Sequence, residues 1–202
     1  ELLHPGSFLE SRIAEPCEVF ISLPDGDFVG ELVDMGCHYI DTPFERHGIN
    51  PISELKLIFR YKQIIREIQP DIVFSYTIKP NIYGGIACKA LKIPCIMNIT
   101  GLGTAVENGG IMQKITLLLY RLALPGAKKV FFQNSENERF FSEHGLAAGK
   151  HDLLPGSGVN VDHYSVLEYP PKDTVEFVFI SRIMKEKGID QYLEAAKVIR
   201  KK

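Results

Sequence analysis

Two groups of side chains in this sequence have types and spacings that suit chemistry. The first is Ser75, Tyr76, Thr77, Lys79, Asn81 and Tyr83, crowded into the stretch S-Y-T-I-K-P-N-I-Y. They supply hydrogen-bond donors, acceptors and one cation, the equipment of a polar ligand site. The second is Arg182 with Lys187, in the loop S-R-I-M-K-E-K-G. That loop begins where a strand is expected to end, and it precedes a helix. Free amide groups and the positive end of the helix dipole favour an anion there. Arginine would add a bidentate fork and lysine a mobile point charge, the pair a diphosphate calls for. From spacing alone, two solvated loop charges is the simpler reading, because Lys185 and Glu186 make the whole loop polar.

The elements that must hold the first group form one strand–helix–strand unit over Gln69–Thr104. Ile72-Val73-Phe74 reads as a short buried strand entered through Pro70-Asp71. Asn81 to Leu91 has helical spacing, with Ile82, Ile86 and Ala90 on one face, and Lys92-Ile93-Pro94 ends it. Cys95-Ile96-Met97 is the second strand, and Thr100-Gly101-Leu102-Gly103-Thr104 leaves its carboxyl end. A helical crossover makes the strands parallel and puts both following loops on one sheet edge, where open α/β sheets bind ligands. Lys79 and Tyr83 are therefore expected beside the Gly101–Gly103 loop.

The rest of the chain repeats the β-α rhythm. Leu2-Leu3-His4 is read as the tail of a strand and Ser7–Ala14 as a short helix stopped by Pro16. Cys17–Leu23 and Cys37–Ile40 are strands, with a helix over Phe28–Met35 closed by Gly36. Asn50-Pro51 opens a long helix that runs to Pro70, its inner stripe and flank traced by Leu55, Ile58, Phe59, Lys62, Ile65 and Ile68. Gln113–Leu124 is a helix, Lys129–Phe132 a strand, Glu136–His144 a helix capped by Ser135, and His151–Leu154 a strand. The absence of hairpin signals argues for a parallel sheet with helices on both faces. Pro155–Lys172, rich in Gly, Pro, Ser and Asn, breaks the rhythm and marks a boundary. The domains expected are 1–155, a linker at 156–173, and 174–202, where a strand over Thr174–Ile180, a basic loop and a helix over Ile189–Lys202 begin a second domain that looks cut short.

Composition narrows the class. The 202 residues are 45% hydrophobic and 24% charged, ordinary for a globular protein with a real core. A net charge of −2 gives no general attraction to nucleic acid or anionic membrane. The cysteines Cys17, Cys37, Cys88 and Cys95 form no C-x-x-C pair and read as reduced, packed thiols of a cytoplasmic protein. No signal peptide is expected from Glu1-Leu2-Leu3-His4-Pro5, nor a membrane span, since the apolar stretch Ile115–Leu124 is too short and contains Arg121. Core packing is the simpler reading of helix Ile111–Leu124. The sharper one is contact with a membrane, with Lys114, Arg121, Lys128 and Lys129 near headgroups. No nucleotide-binding P-loop, dinucleotide fingerprint or nucleophile elbow occurs, and the six histidines have no metal-ligand spacing.

Six ordered blocks then carry a resemblance: S-Y-T-I-K-P-N-I-Y-G-G-I-A, T-G-L-G, L-L-Y-R-L-A-L, K-V-F-F-Q-N, L-P-G-S-G-V-N and S-R-I-x-x-x-K-G-I-D. From about Cys17 to Lys202 the chain resembles bacterial family-4 glycosyltransferases of the GT-B fold. It looks most like those that move galactose or N-acetylhexosamine onto lipid-linked sugars in capsule, O-antigen and glycoprotein assembly. The resemblance implies two Rossmann-like domains, the acceptor mainly on the first and the sugar nucleotide mainly on the second. It implies that Arg182 and Lys187 neutralise the donor diphosphate, overriding the simpler reading above. It also implies that Thr77, Lys79, Asn81, Tyr83, Gly101 and Gly103 line the acceptor side of the cleft. The expected donor is a nucleotide-sugar, a UDP-sugar foremost, with no metal or other cofactor. Transfer is expected to retain anomeric configuration, with the leaving phosphate assisting front-side attack. Three features depart from the pattern. The stretch before Cys17 is about a helix short, the family's paired-glutamate motif belongs further downstream, and Ser181 stands where glycine is usual. A sugar-nucleotide epimerase of the same shape, or a non-catalytic carbohydrate- or anion-binding module, is the alternative.

Overall fold

The computed structural model describes residues 17–44, 50–103, 106, 109–169 and 175–200. The expected strand at Leu2–His4 and helix at Ser7–Ala14 lie outside them. The chain divides into two compact units, Glu1–Val161 and Asp162–Lys202.

The first unit alternates strands and helices in the expected order. Strand β1 (Phe20–Leu23), helix α1 (Val29–Asp34) and strand β2 (His38–Asp41) form a parallel pair with its connecting helix. Helix α2 (Pro51–Ile68) follows, then β3 (Val73–Tyr76), a π-helical turn (Pro80–Gly84) and α3 (Gly85–Leu91). Next come β4 (Cys95–Ile99), α4 (Gly110–Ala123), β5 (Ala127–Phe132), α5 (Ser135–Glu143) and β6 (His151–Leu153). Strands β3 to β6 make a four-stranded parallel sheet in sequence order, separate from the β1–β2 pair. Every connection within it passes through a helix, as parallel strands require.

Alternation along β4 and β5 decides where the core lies. Cys95, Met97 and Ile99 on β4 and Val130 and Phe132 on β5 point to one face, all fully buried. Tyr61 of α2, Ala87 of α3, Tyr120 of α4 and Phe141 of α5 pack into the same core. On the opposite face, Phe74 and Tyr76 of β3 remain 58% and 53% exposed. Close packing on the core face demands small residues: a Cβ on Gly85 would come within 2.2 Å of Met97 Cε and 3.2 Å of Ala123 Cβ.

Local signals explain most boundaries. Asn50 caps α2, its side chain accepting from the Ile52 amide at 3.0 Å, and Pro51 stands at the first turn, where its missing N–H costs nothing. The inner stripe of α2 differs from the expectation. Glu54, Leu57, Tyr61, Ile64 and Ile65 are buried, whereas Leu55 and Phe59 are exposed. This helix has aliphatic or aromatic residues on two stripes, and periodicity alone does not say which one faces the sheet. The cap of α5 is Asn134, not Ser135: its Oδ1 accepts from the Asn137 amide at 2.8 Å. Both residues can cap, and the asparagine holds the extended backbone that a cap requires.

The segment after Leu154 stays with the first unit through Val161, and Gln133 Nε2 donates to Ser157 Oγ at 3.1 Å. In the second unit, residues 175–180 form no strand, contrary to expectation, and Thr174 lies outside the described residues. A strand exists only where a neighbour takes its hydrogen bonds, and no ladder among the described residues involves this segment. Instead Tyr192 of helix α6 (Ile189–Arg200) holds it. The Tyr192 hydroxyl donates to the Phe177 carbonyl at 2.9 Å, and its ring lies 5.2 Å from that of Phe179.

Candidate functional site

The carboxyl edge of the strands carries a cavity of about 610 Å³. Pro24 after β1, Pro43 and Phe44 after β2, the first turns of α2 and Lys79 after β3 line it. The strands β1, β2 and β3 thus deliver their following loops to one place, as α/β folds do when they build ligand sites.

At its base, Lys79 Nζ donates to Glu54 Oε1 at 2.6 Å. The two side chains are only 16% and 9% exposed, so the pair is nearly dry. Glu54 Oε2 is buried with no hydrogen-bond partner among the described residues. Buried carboxylate oxygens are normally satisfied, and the neighbouring Tyr83 hydroxyl is a donor directed at this carboxylate. Tyr83 is buried next to the pair. Burial, and then the nearby Glu54 charge, push its phenol well above the usual range, so it stays a neutral hydroxyl. Arg60, on the cavity wall, donates from Nη2 to the Asp41 carbonyl at 3.1 Å, which ties α2 to the end of β2.

The loop after β3 is unusual in its backbone. Thr77 sits at φ 67°, a left-handed conformation that a β-branched residue rarely adopts. Its carbonyl accepts from the Asn81 amide at 3.1 Å, and the chain then enters the π-helical turn Pro80–Gly84 in place of the α-helix expected from Asn81. Left-handed non-glycine residues and π-turns both concentrate at functional sites. A widened turn is not visible in side-chain periodicity, so the sequence gives no signal for it.

The structure separates the predicted residues. Lys79 and Tyr83 join at the Glu54 carboxylate. Thr77 is exposed at the sheet edge. Asn81, expected on the cleft face, is instead completely buried. Ser75 Oγ donates to its Oδ1 at 2.7 Å and its Nδ2 donates to the Asn98 carbonyl at 2.9 Å, so it ties β3 to β4 from within the core. A short amide so near the strand end satisfies buried polar groups better than it could reach solvent. Gly103, at φ 67°, is packed so tightly on Ile78 that a Cβ would lie 2.6 Å from Ile78 Cδ1. The loops after β3 and β4 therefore touch. A Cβ on Gly101 would meet open space.

Arg182 and Lys187 belong to the second unit. Both are exposed, and Lys187 ends a 3-10 turn (Lys185–Lys187) just before α6, with Gly188 at φ 80° between turn and helix. Glu54 is the residue that sequence reasoning missed. Its signal is an acid on the same helical stripe as Leu57, Tyr61 and Ile65, where an ionised group needs a partner.

Residues 11–134 match the family described as Glycosyl transferase 4-like. Over 202 residues the chain is 25% identical to the N,N'-diacetylbacillosaminyl-diphospho-undecaprenol alpha-1,3-N-acetylgalactosaminyltransferase of Campylobacter jejuni, covering 92% of this chain and 54% of that protein. An uncharacterized glycosyltransferase of Methanocaldococcus jannaschii is 25% identical over 154 residues, 68% of this chain and 38% of its own. The chain thus spans about half the length of the curated relatives it matches, or less. Among solved structures, the Anabaena protein HepE in complex with UDP-glucose superposes with a TM-score of 0.55 at 18% identity, over 72% of this chain and 37% of that one. A glycosyltransferase from Rickettsia africae gives 0.52 at 18% identity, over 73% and 37%. These two likenesses concern the fold, a Rossmann-like parallel α/β arrangement of the GT-B kind. With the family match covering more than half of its length, the chain belongs to the Glycosyl transferase 4-like family.

Proposed function

We propose that the protein is a retaining glycosyltransferase that moves a sugar from a nucleotide-sugar, foremost a UDP-sugar, to a lipid-linked saccharide in glycan or polysaccharide assembly. The first unit would hold the acceptor, and the loop bearing Arg182 and Lys187 would hold the donor diphosphate. The observation that carries this reading is the cavity at the carboxyl edge, lined by the Lys79–Glu54 pair. Glu54, on the cavity lining, would meet a sugar hydroxyl through its carboxylate, with Tyr83 a neutral hydrogen-bonding neighbour. The similarity to a relative named for a diphospho-undecaprenol substrate supports the lipid-linked acceptor, and the fold shared with a protein solved with UDP-glucose supports the donor.

In the proposed reaction the bond between the sugar C1 and the diphosphate oxygen breaks while C1 bonds to the acceptor oxygen on the same face. The acceptor proton passes to the leaving phosphate oxygen. Arg182 and Lys187 would stabilise the charge that grows on the diphosphate, the kind of stabilisation that acts on the transition state most. The test is incubation of the full-length protein with UDP-, GDP- and ADP-sugars and undecaprenyl-diphosphate-linked saccharides, read by mass and by the anomeric signal of the product. The expected product is the acceptor enlarged by one sugar, with the donor's anomeric configuration. An inverted product, or no product with any nucleotide-sugar, would refute the reading.

A further inference from the structure

The cavity at the carboxyl edge carries more positive charge than its own acid answers. Among the described residues that line it, Lys56, Arg60 and Lys79 are cations and Glu54 is the one acid. Glu54 is taken up by Lys79 at 2.6 Å, in a pair that is nearly dry. Lys56 and Arg60 remain. They stand four residues apart on α2, so both project from one face of the helix, a turn from each other. Lys56 is exposed and Arg60 half-buried, so the two form the wetter wall of the cavity.

The helix around them offers no counter-charge. Three and four residues away lie Ile52, Ser53, Leu57, Phe59, Gln63 and Ile64, none of them acidic. None of the ion pairs among the described residues includes Lys56 or Arg60. Like charges at this spacing repel, so the arrangement works against the helix that carries it. Arg60 uses one donor, Nη2, on the Asp41 carbonyl at 3.1 Å. That tie anchors the guanidinium at the end of β2 and leaves its other N–H groups for a ligand. The neighbouring walls, Pro24, Pro43, Phe44 and Leu57, are apolar. A concave site with low-dielectric walls and an excess of one sign of charge concentrates that field.

A neutral saccharide needs no such pair. A planar fork beside a mobile point charge is what an oxyanion requires. We propose that Lys56 and Arg60 form an anion subsite, and that the molecule this cavity takes is a glycoconjugate bearing a phosphate, diphosphate or carboxylate next to its sugar. Naming that molecule the acceptor rests on the function proposed above, but the anion binding itself needs neither donor nor acceptor. Two sources would supply the oxyanion: the diphosphate of a lipid link, or the carboxylate of an acidic sugar.

The experiment is titration calorimetry of the full-length protein at low salt with inorganic pyrophosphate, glucuronate and N-acetylglucosamine. Pyrophosphate can also bind at the loop of the second unit, so every titration is made on a protein carrying Arg182→Gln and Lys187→Gln. One of the two anions is expected to bind that protein, and adding Lys56→Gln with Arg60→Gln should weaken it about tenfold or more. Raised salt should weaken it too. Lys56→Glu alone leaves the Arg60 tie to β2 intact, and it should have the same effect with the melting temperature unchanged. Tighter binding of pyrophosphate would assign the subsite to a diphosphate link, and tighter binding of glucuronate to an acidic sugar. The proposal is overturned if neither anion binds, if N-acetylglucosamine binds as tightly as both, or if the Lys56 and Arg60 substitutions leave the affinity unchanged. Anion binding at Lys56 and Arg60 without sugar transfer to any acceptor would sink the proposed function alone. Transfer to a lipid-linked saccharide with an acceptor KM that Lys56→Glu leaves unchanged would sink this proposal alone.

Discussion

Removing one partner of the Glu54–Lys79 pair should cost far more than removing both. At 2.6 Å, with an effective dielectric of about 20, the gross attraction is about 6 kcal/mol. Desolvation of two side chains that are 9% and 16% exposed opposes most of it, so the pair as a whole contributes little net stability. Glu54→Ala, however, leaves an ammonium in a nearly dry site, and Lys79→Met leaves a carboxylate there. Each should destabilise the first unit by about 3 kcal/mol, while the double variant should lose only about 1 kcal/mol, a coupling of several kcal/mol. Hydrogen exchange of the Pro51–Ile68 amides in the full-length protein reads this locally, without mixing in the unfolding of other domains. Single-variant losses that simply add, with coupling below about 0.5 kcal/mol, would show that the pair is solvated and that the account of the cavity base is wrong.

Other residues offer separate tests. The Tyr61 hydroxyl is buried with no hydrogen-bond partner among the described residues, so Tyr61→Phe should raise stability by about 1 kcal/mol in urea melts. Burial pushes the Tyr61 phenol up to about 12, above its unfolded value of 10.0, so the folded state holds its proton longer. Stability should therefore be intact below pH 10 and fall between pH 10 and about 12, and Tyr61→Phe should flatten that part of the profile. Asn81→Ala should cost about 2–4 kcal/mol, because both its core hydrogen bonds disappear, without a matching rise in acceptor KM. Arg182→Ala in the full-length enzyme should depress kcat more than it raises acceptor KM, and Arg182→Lys should not restore it, because the fork is lost. Unchanged turnover for Arg182→Ala would place the diphosphate elsewhere.

Much of this fold is legible because local chemistry fixes it. Asn50-Pro51 marks a helix start by supplying a side-chain cap and a first-turn proline, and Gly103 after β4 stands where the loops after β3 and β4 pack closely. What escapes is whatever depends on a distant partner. Leu55 and Phe59 look as fit for the core as Leu57 and Tyr61, and only the position of the sheet decides between the two stripes. Residues 175–180 have strand-forming side chains, yet a strand needs a neighbour. Asn81 reads as a ligand contact until Ser75 and Asn98 are seen to claim it. Lys79 is visible in the sequence as the one cation of its group, but Glu54, 25 residues earlier, comes into view only when α2 meets the loop after β3.

The central claim is that the cavity holding Glu54 receives the acceptor. Steady-state transfer by the full-length protein, with acceptor and donor varied separately for Glu54→Gln, tests it most directly. The substituted amide would keep the size and one acceptor oxygen but lose the charge that a sugar hydroxyl would meet, and a hydrogen bond to a charged group is worth about 1.5–3 kcal/mol. The account predicts an acceptor KM raised about tenfold to a hundredfold with the donor KM unchanged. A donor KM that rises while the acceptor KM stays put would contradict it.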